Sequence, residues 1–142
     1  MKKPRILLID DEASFTRLLR LNLEQTGRYE VRDLNVAAHA IPVIESFDPD
    51  LILLDIVMPN MDGAHLAAEI LKRPRVKNTP IVFLTAVVSK QETVEQHGLI
   101  GGNLFLAKPV TLNEVMSCID KILQHGGDPV AEAVGPGAKR RG

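Results

Sequence analysis

Cysteine is nearly absent: Cys118 stands alone among 142 residues, which excludes an intrachain disulfide. His39, His65, His97 and His125 do not fall at zinc-ligand spacing from it or from one another, so a Cys/His zinc site is excluded as well. No apolar run approaches the roughly 20 residues that a membrane-spanning helix requires, and no membrane partner is expected. The opening MKKPRILLIDDE puts basic residues before an apolar run, as an export signal does. That run is short and ends in acids, so it is expected to be a strand, and a cytoplasmic setting follows as the default. Charge excess is lacking too: a formal net charge of -1 gives no global attraction for nucleic acid or acidic membranes. The one basic cluster, Lys139, Arg140 and Arg141, lies in the tail without a folded surface, and nucleic acid is not an expected partner. Internal repeats are also absent.

What is present is an ordinary globular composition, 45% hydrophobic and 25% charged, over one domain's length. Short unalternated apolar runs at Ile6 to Ile9, Leu51 to Leu54, Ile81 to Leu84 and Leu104 to Leu106 predict strands covered on both faces. A weaker one, Tyr29 to Val31, precedes Asp33. Between them lie segments of helical spacing: Phe15 to Leu23, Val36 to Phe47, Leu66 to Leu71, the polar Ser89 to His97, and Leu112 to Leu123. Five alternations of strand and helix imply an α/β fold, a five-stranded parallel sheet with five helices on both faces. Thr111 and Glu114 have capping-box spacing at the start of the last helix. Gly27 is suited to end the first helix, and Gly126-Gly127 the last. Pro42 inside the second helical pattern predicts a kink or a late helix start, because it removes a backbone donor. The domain is expected to span residues 4–125, with 126–142, rich in glycine and proline, a disordered tail or linker.

The chemistry lies at the strand ends. The first strand runs into Asp10-Asp11-Glu12 and the third into Asp55, so both deliver carboxylates to the carboxyl edge of the sheet, where open parallel sheets bind ligands. Converging carboxylates repel and raise one another's pKa values, and a bound cation resolves the repulsion. An oxygen-only donor set with few protein ligands suits Mg2+ better than Ca2+. Asp10 and Asp11 could instead serve only the N-terminus of the next helix. The other strand ends weigh against that. Thr85-Ala86 closes the fourth strand, and the fifth leads through Ala107 to Lys108-Pro109. A lysine can neutralise a phosphoryl group, a threonine hydroxyl can hydrogen-bond its oxygen, and a carboxylate can attack phosphorus. Together they read as a phosphoryl-accepting site.

These residues carry a resemblance. Asp10-Asp11, the stretch Asp55-Ile-Val-Met-Pro-Asn-Met-Asp-Gly, Thr85-Ala86 and Lys108-Pro109, in that order, make residues 4 to about 125 closely similar to the receiver domain of bacterial two-component response regulators. The resemblance implies the flavodoxin-like strand order 2-1-3-4-5. It implies Asp55 as phosphoacceptor, Asp10 and Asp11 as Mg2+ ligands with Asp55, and a backbone carbonyl of Val57 completing the metal site. Lys108 would pair with the phosphoryl group, and the Lys108-Pro109 bond would be cis. Thr85 and Phe105 would form the switch, read out on the fourth helix, fifth strand and fifth helix. The stretch His97 to Asn103, beside that face, is longer than the family's short glycine turn.

The implied function is a phosphorelay switch taking its phosphoryl group from a histidine kinase or histidine phosphotransfer protein and controlling an unidentified protein target. A phosphorylation-dependent homodimer is compatible with it. An aspartyl-nucleophile hydrolase would need a second carboxylate two residues after the nucleophile, where Val57 stands. A flavodoxin-like cofactor carrier would need phosphate-binding donors where Asp10, Asp11 and Glu12 stand. A receiver-fold interaction module that takes no phosphate is the remaining alternative. Pro59 is expected to stiffen the loop after Asp55, with Asp62-Gly63 opening the third helix. Apolar Val57 and Val87 flank the site where a polar side chain could orient a hydrolytic water, so slow loss of the phosphoryl group is expected. The segment is expected to be either a stand-alone receiver or one cut from a longer regulator.

Overall fold

The computed structural model describes residues 2–58, 61–73, 79–86, 99–100 and 103–124. The expectations for Pro59 and Asn60, Val87, the helix over Ser89 to His97, Gly126-Gly127 and the tail fall outside them.

Along the chain come β1 (Arg5–Ile9), α1 (Ala13–Gln25), β2 (Glu30–Leu34), a 3-10 turn (Ala37–His39), α2 (Ala40–Phe47) and β3 (Leu51–Asp55). They are followed by the two-residue strands β4 (Val57–Met58) and β5 (Met61–Asp62), then α3 (Gly63–Leu71), β6 (Ile81–Thr85), β7 (Leu99–Ile100), β8 (Asn103–Ala107) and α4 (Leu112–Gln124). The main sheet has the order β2-β1-β3-β6-β8-β7. Its first five strands are parallel, which in core-strand numbering is the order 2-1-3-4-5. β7 adds a short antiparallel edge, Leu99 opposite Leu104 and Ile100 opposite Asn103. The extra residues before Asn103 thus contribute a sixth strand.

Alternate strand residues point to opposite faces, so each continuous apolar run feeds two cores. Ile6, Leu8, Leu51, Leu53, Val82, Leu84 and Leu104 pack with Leu19 and Leu23 of α1 and Val115, Ile119 and Ile122 of α4. Leu7, Ile9, Ile52, Leu54, Phe83 and Phe105 pack with Ile44 and Phe47 of α2 and Leu66 and Ile70 of α3. Every residue of β3 is buried. No described helix is long and apolar enough to cross a membrane.

The helix ends follow local chemistry. α2 starts late, at Ala40, which leaves Pro42 in the first turn, where its missing N–H has no intrahelical partner to lose. Asp48 closes α2 with φ 54, the left-handed region that Asp tolerates better than most residues. Gly27 does so after α1 with φ 75. The capping box is formed: Glu114 N donates to Thr111 Oγ1 at 3.1 Å and Thr111 N to Glu114 Oε1 at 2.8 Å.

Tyr29, at the entrance to β2, donates its hydroxyl to Asp120 Oδ1 of α4 at 2.7 Å, and Arg28 pairs with the same carboxylate. Burial, assisted by that hydrogen bond, pushes the Tyr29 phenol from its ordinary 10.0 up to about 12. The folded state therefore holds this proton to higher pH than the unfolded chain does. The associated stability is full below about pH 10, is lost as pH rises toward 12, and amounts to about 2–3 kcal/mol at most. Urea unfolding at about pH 9 and about pH 11.5 is expected to show a smaller loss in Tyr29→Phe than in the wild type, the remainder coming from groups such as Lys108 whose pKa is also raised.

Candidate functional site

Four strand ends meet at the carboxyl edge of the sheet. Asp55 is the last residue of β3 and Thr85 the last of β6, while Asp10 and Lys108 follow β1 and β8 directly. Backbone hydrogen bonds hold these ends in register: Asp10 N to Leu34 O at 3.1 Å, Ile56 N to Leu84 O at 3.0 Å and Lys108 N to Thr85 O at 2.8 Å. The Lys108-Pro109 bond is cis.

Asp10, Asp55 and Thr85 are buried and Asp11 is exposed. Carboxylate oxygens of Asp10, Asp11 and Asp55 lie within 4.8 Å of one another, close enough for one metal ion. An all-oxygen set of this kind is the donor chemistry of a hard divalent cation. Helix capping does not account for the acid pair. The residue capping α1 is Glu12, it makes no side-chain cap, and the first turn holds no acid. Asp10 uses one oxygen, Oδ1, to accept the Glu12 N–H at 3.0 Å.

Lys108 is the counter-charge. Its Nζ donates to Asp10 Oδ2 at 2.6 Å and to Glu12 Oε1 at 3.2 Å, and stands 3.8 Å from Asp55 Oδ2. It also lies 4.7 Å from the centroid of the Phe15 ring, a cation-π contact. Burial works to lower the Lys108 pKa, but the hydrogen bond to Asp10 and the surrounding carboxylates outweigh it and raise the value, so the ammonium stays charged. Burial raises the Asp10 carboxyl against the opposing Lys108 hydrogen bond. A buried carboxylate that is costly to ionise gains most from a cation placed beside it.

Val57 lies two residues beyond Asp55 and opens β4, which pairs antiparallel with β5, Val57 opposite Asp62 and Met58 opposite Met61. This small hairpin was not legible in the Met-Pro-Asn-Met sequence. α3 begins at Gly63, as Asp62-Gly63 predicts, and Gly63 N donates to Ile56 O at 2.9 Å. Phe105 is buried on the α2 and α3 face and stacks on Phe83, ring centroids 5.3 Å apart. Asn35, just past β2, reaches Asp10, Phe15 reaches Lys108, and Gly63 packs against the Asp55 backbone. Gly63 closes the Asp55 stretch that the sequence singled out, whereas Asn35 and Phe15 were not assigned to the site. The one available signal was that Asn35 is a polar residue directly after a strand at the ligand-binding edge.

A model of the response regulator receiver domain matches residues 6–120. The chain belongs to that family. Among its relatives, the transcriptional regulatory protein TrcR of Mycobacterium tuberculosis is 36% identical over 139 residues, covering 92% of this chain and 50% of TrcR. The alkaline phosphatase synthesis transcriptional regulatory protein PhoP of Bacillus subtilis is 34% identical over 121 residues, 84% of this chain and 48% of PhoP. This receiver domain thus spans about half the length of the curated relatives it matches. The Francisella response regulator 1452 receiver domain superposes with a TM-score of 0.70 at 25% identity, covering 87% of this chain and 98% of that one. A response regulator from Desulfuromonas acetoxidans gives 0.70 at 26% identity, covering 86% and 98%. The family is that of two-component response regulators, and the role it gives the domain is regulatory.

Proposed function

We propose that this receiver domain is a cytoplasmic phosphorelay switch whose phosphoacceptor is Asp55 and whose donor is a histidine kinase or a histidine phosphotransfer protein. The observation that carries the reading is the position of Lys108 Nζ, 2.6 Å from Asp10 and 3.8 Å from Asp55: one charged lysine bridges the acid pair and the acceptor. In the transfer, an Asp55 carboxylate oxygen bonds to phosphorus as the phosphorus–nitrogen bond of the donor histidine breaks, its electron pair staying on the imidazole nitrogen. Lys108 compensates the added charge and Thr85 donates its hydroxyl to a phosphoryl oxygen. Asp10, Asp11, Asp55 and the Val57 carbonyl would hold Mg2+, which supplies charge neutralisation to the oxygens of the group in transit. The domain assists its own phosphorylation and dephosphorylation and catalyses no other reaction.

Output follows from what the new charge pulls on. Lys108, Thr85 and Phe105 lie on the neighbouring strands β6 and β8 or directly after them, so a pull on Thr85 and Lys108 bears on the packing around Phe105. The readout face includes β8 and α4, and it controls a downstream protein or a second copy of the chain; the fourth helix expected in it from the sequence lies outside the described residues. Moving such a switch from mostly off to mostly on needs about 5.5 kcal/mol of differential stabilisation, within reach of several charge-assisted contacts.

A small phosphodonor with Mg2+, followed by intact mass, tests the assignment. Once formed, the phosphorylated domain is expected to be long-lived, with a half-life of minutes or more, since Val57 and Val87 offer no polar group to orient an attacking water. A time course after removal of the donor checks this, and decay within seconds would refute it.

A further inference from the structure

We infer that Asn35 is a positioning residue for the acid pair and, through it, for the divalent cation; the inference rests on the metal assignment proposed above. Asn35 follows β2 directly and is half-buried. Its Nδ2 donates to the backbone carbonyl of Asp10 at 2.8 Å and to Thr16 Oγ1 at 2.8 Å. A backbone carbonyl can only accept, so the amide nitrogen, and not the oxygen, faces Asp10. Thr16 is fully buried in α1, and its hydroxyl lies 3.2 Å from Ala13 O and 3.4 Å from Asp33 Oδ2. The Asn35 amide therefore joins the end of β1, the first turns of α1 and the end of β2.

The link bears on the metal ligands through peptide geometry. Asp10 N is already tied to Leu34 O, and Asn35 ties Asp10 O. That carbonyl lies in the same rigid plane as the N–H and Cα of Asp11, so pinning it fixes where the Asp11 Cα sits and leaves only rotation about the N–Cα and side-chain bonds to place the carboxylate. The Asp10 side chain is held separately, by Glu12 N and Lys108. Asp11 is exposed, and the position of its Cα depends on the plane that Asn35 holds. Without the amide, the acid pair would have to be ordered at the moment of metal binding, and the ordering would weaken affinity.

Titration calorimetry of Mg2+ into the full chain tests this with wild type, Asp11→Asn, Asn35→Ala and Thr16→Val. The wild type is expected to bind and Asp11→Asn to lose binding. Asn35→Ala is expected to bind about ten- to a hundredfold more weakly, the range for residues that orient ligands without touching the metal. A merely structural role would lower the folded fraction and the apparent stoichiometry but leave the affinity of the folded molecules unchanged. Thr16→Val, which removes the partner orienting the amide, is expected to weaken Mg2+ in the same direction, and the double variant to be no weaker than Asn35→Ala alone. Wild-type affinity in folded Asn35→Ala overturns the inference; if that variant does not fold, wild-type affinity in Thr16→Val does so. Absence of Mg2+ binding by the wild type, or unchanged binding by Asp11→Asn, overturns the metal assignment instead and takes this inference with it.

Discussion

Asp55→Asn is expected to abolish phosphoryl uptake, removing the mass gain that the wild type shows with a small phosphodonor and Mg2+. The amide has the shape of the carboxylate but no charge with which to attack phosphorus, so the rate should fall by at least about two orders of magnitude. The fold should survive. Asparagine removes one buried charge from a crowded edge, and Lys108 keeps Asp10 at 2.6 Å and Glu12 at 3.2 Å as partners. Circular dichroism and an unfolding curve would establish that the variant is folded. Undiminished mass gain in folded Asp55→Asn would place the acceptor elsewhere, and no gain in the wild type would leave the interaction-only reading standing.

Gly63→Ala is expected to be among the most destabilising single-methyl additions to this domain. A Cβ at Gly63 would lie 2.4 Å from Asp55 O, 2.6 Å from Ile56 Cα and 2.9 Å from Ile56 O. All three are backbone atoms, so no side chain can swing away to make room. Either α3 lifts from β3 or the chain just after the acceptor shifts. Overpacking of this kind costs about 3 kcal/mol or more, which would lower the unfolding midpoint by roughly 10 °C. Gly27→Ala supplies the contrast. That residue has φ 75 with nothing within 4 Å of its Cβ, so the cost is conformational, about 1–2 kcal/mol. Because the atoms displaced by Gly63→Ala belong to Asp55 and Ile56, its phosphorylation rate should fall as well, whereas Gly27→Ala should phosphorylate normally. A Gly63→Ala protein with the wild-type midpoint would show that α3 yields without strain.

Much of this arrangement was legible before any coordinates. A strand buried on both faces must be apolar throughout, so Leu51 to Leu54 announced itself, and a carboxylate closing such a run had to surface at its end. Four strand ends carrying Asp10, Asp55, Thr85 and Lys108 therefore implied one polar edge. Turn and cap chemistry is equally local: Gly27, the late start of α2 around Pro42 and the Thr111–Glu114 box all depend on residues within a few positions of one another.

Contacts between segments distant in the chain were not legible in that way. Lys108 and Asp10 are 98 positions apart, and only the assembled sheet decides that this lysine sits at hydrogen-bond distance from Asp10, 3.8 Å from Asp55 and over the Phe15 ring. The reach of Asn35 to the Asp10 carbonyl, 25 positions away, is of the same kind. Residue type, strand periodicity and capping are properties of the local chain, so the sequence by itself determined which edge carries the chemistry and which residues reach it. Distances of a few ångströms between those residues depend on how whole strands and helices pack, and there the tertiary structure alone decided.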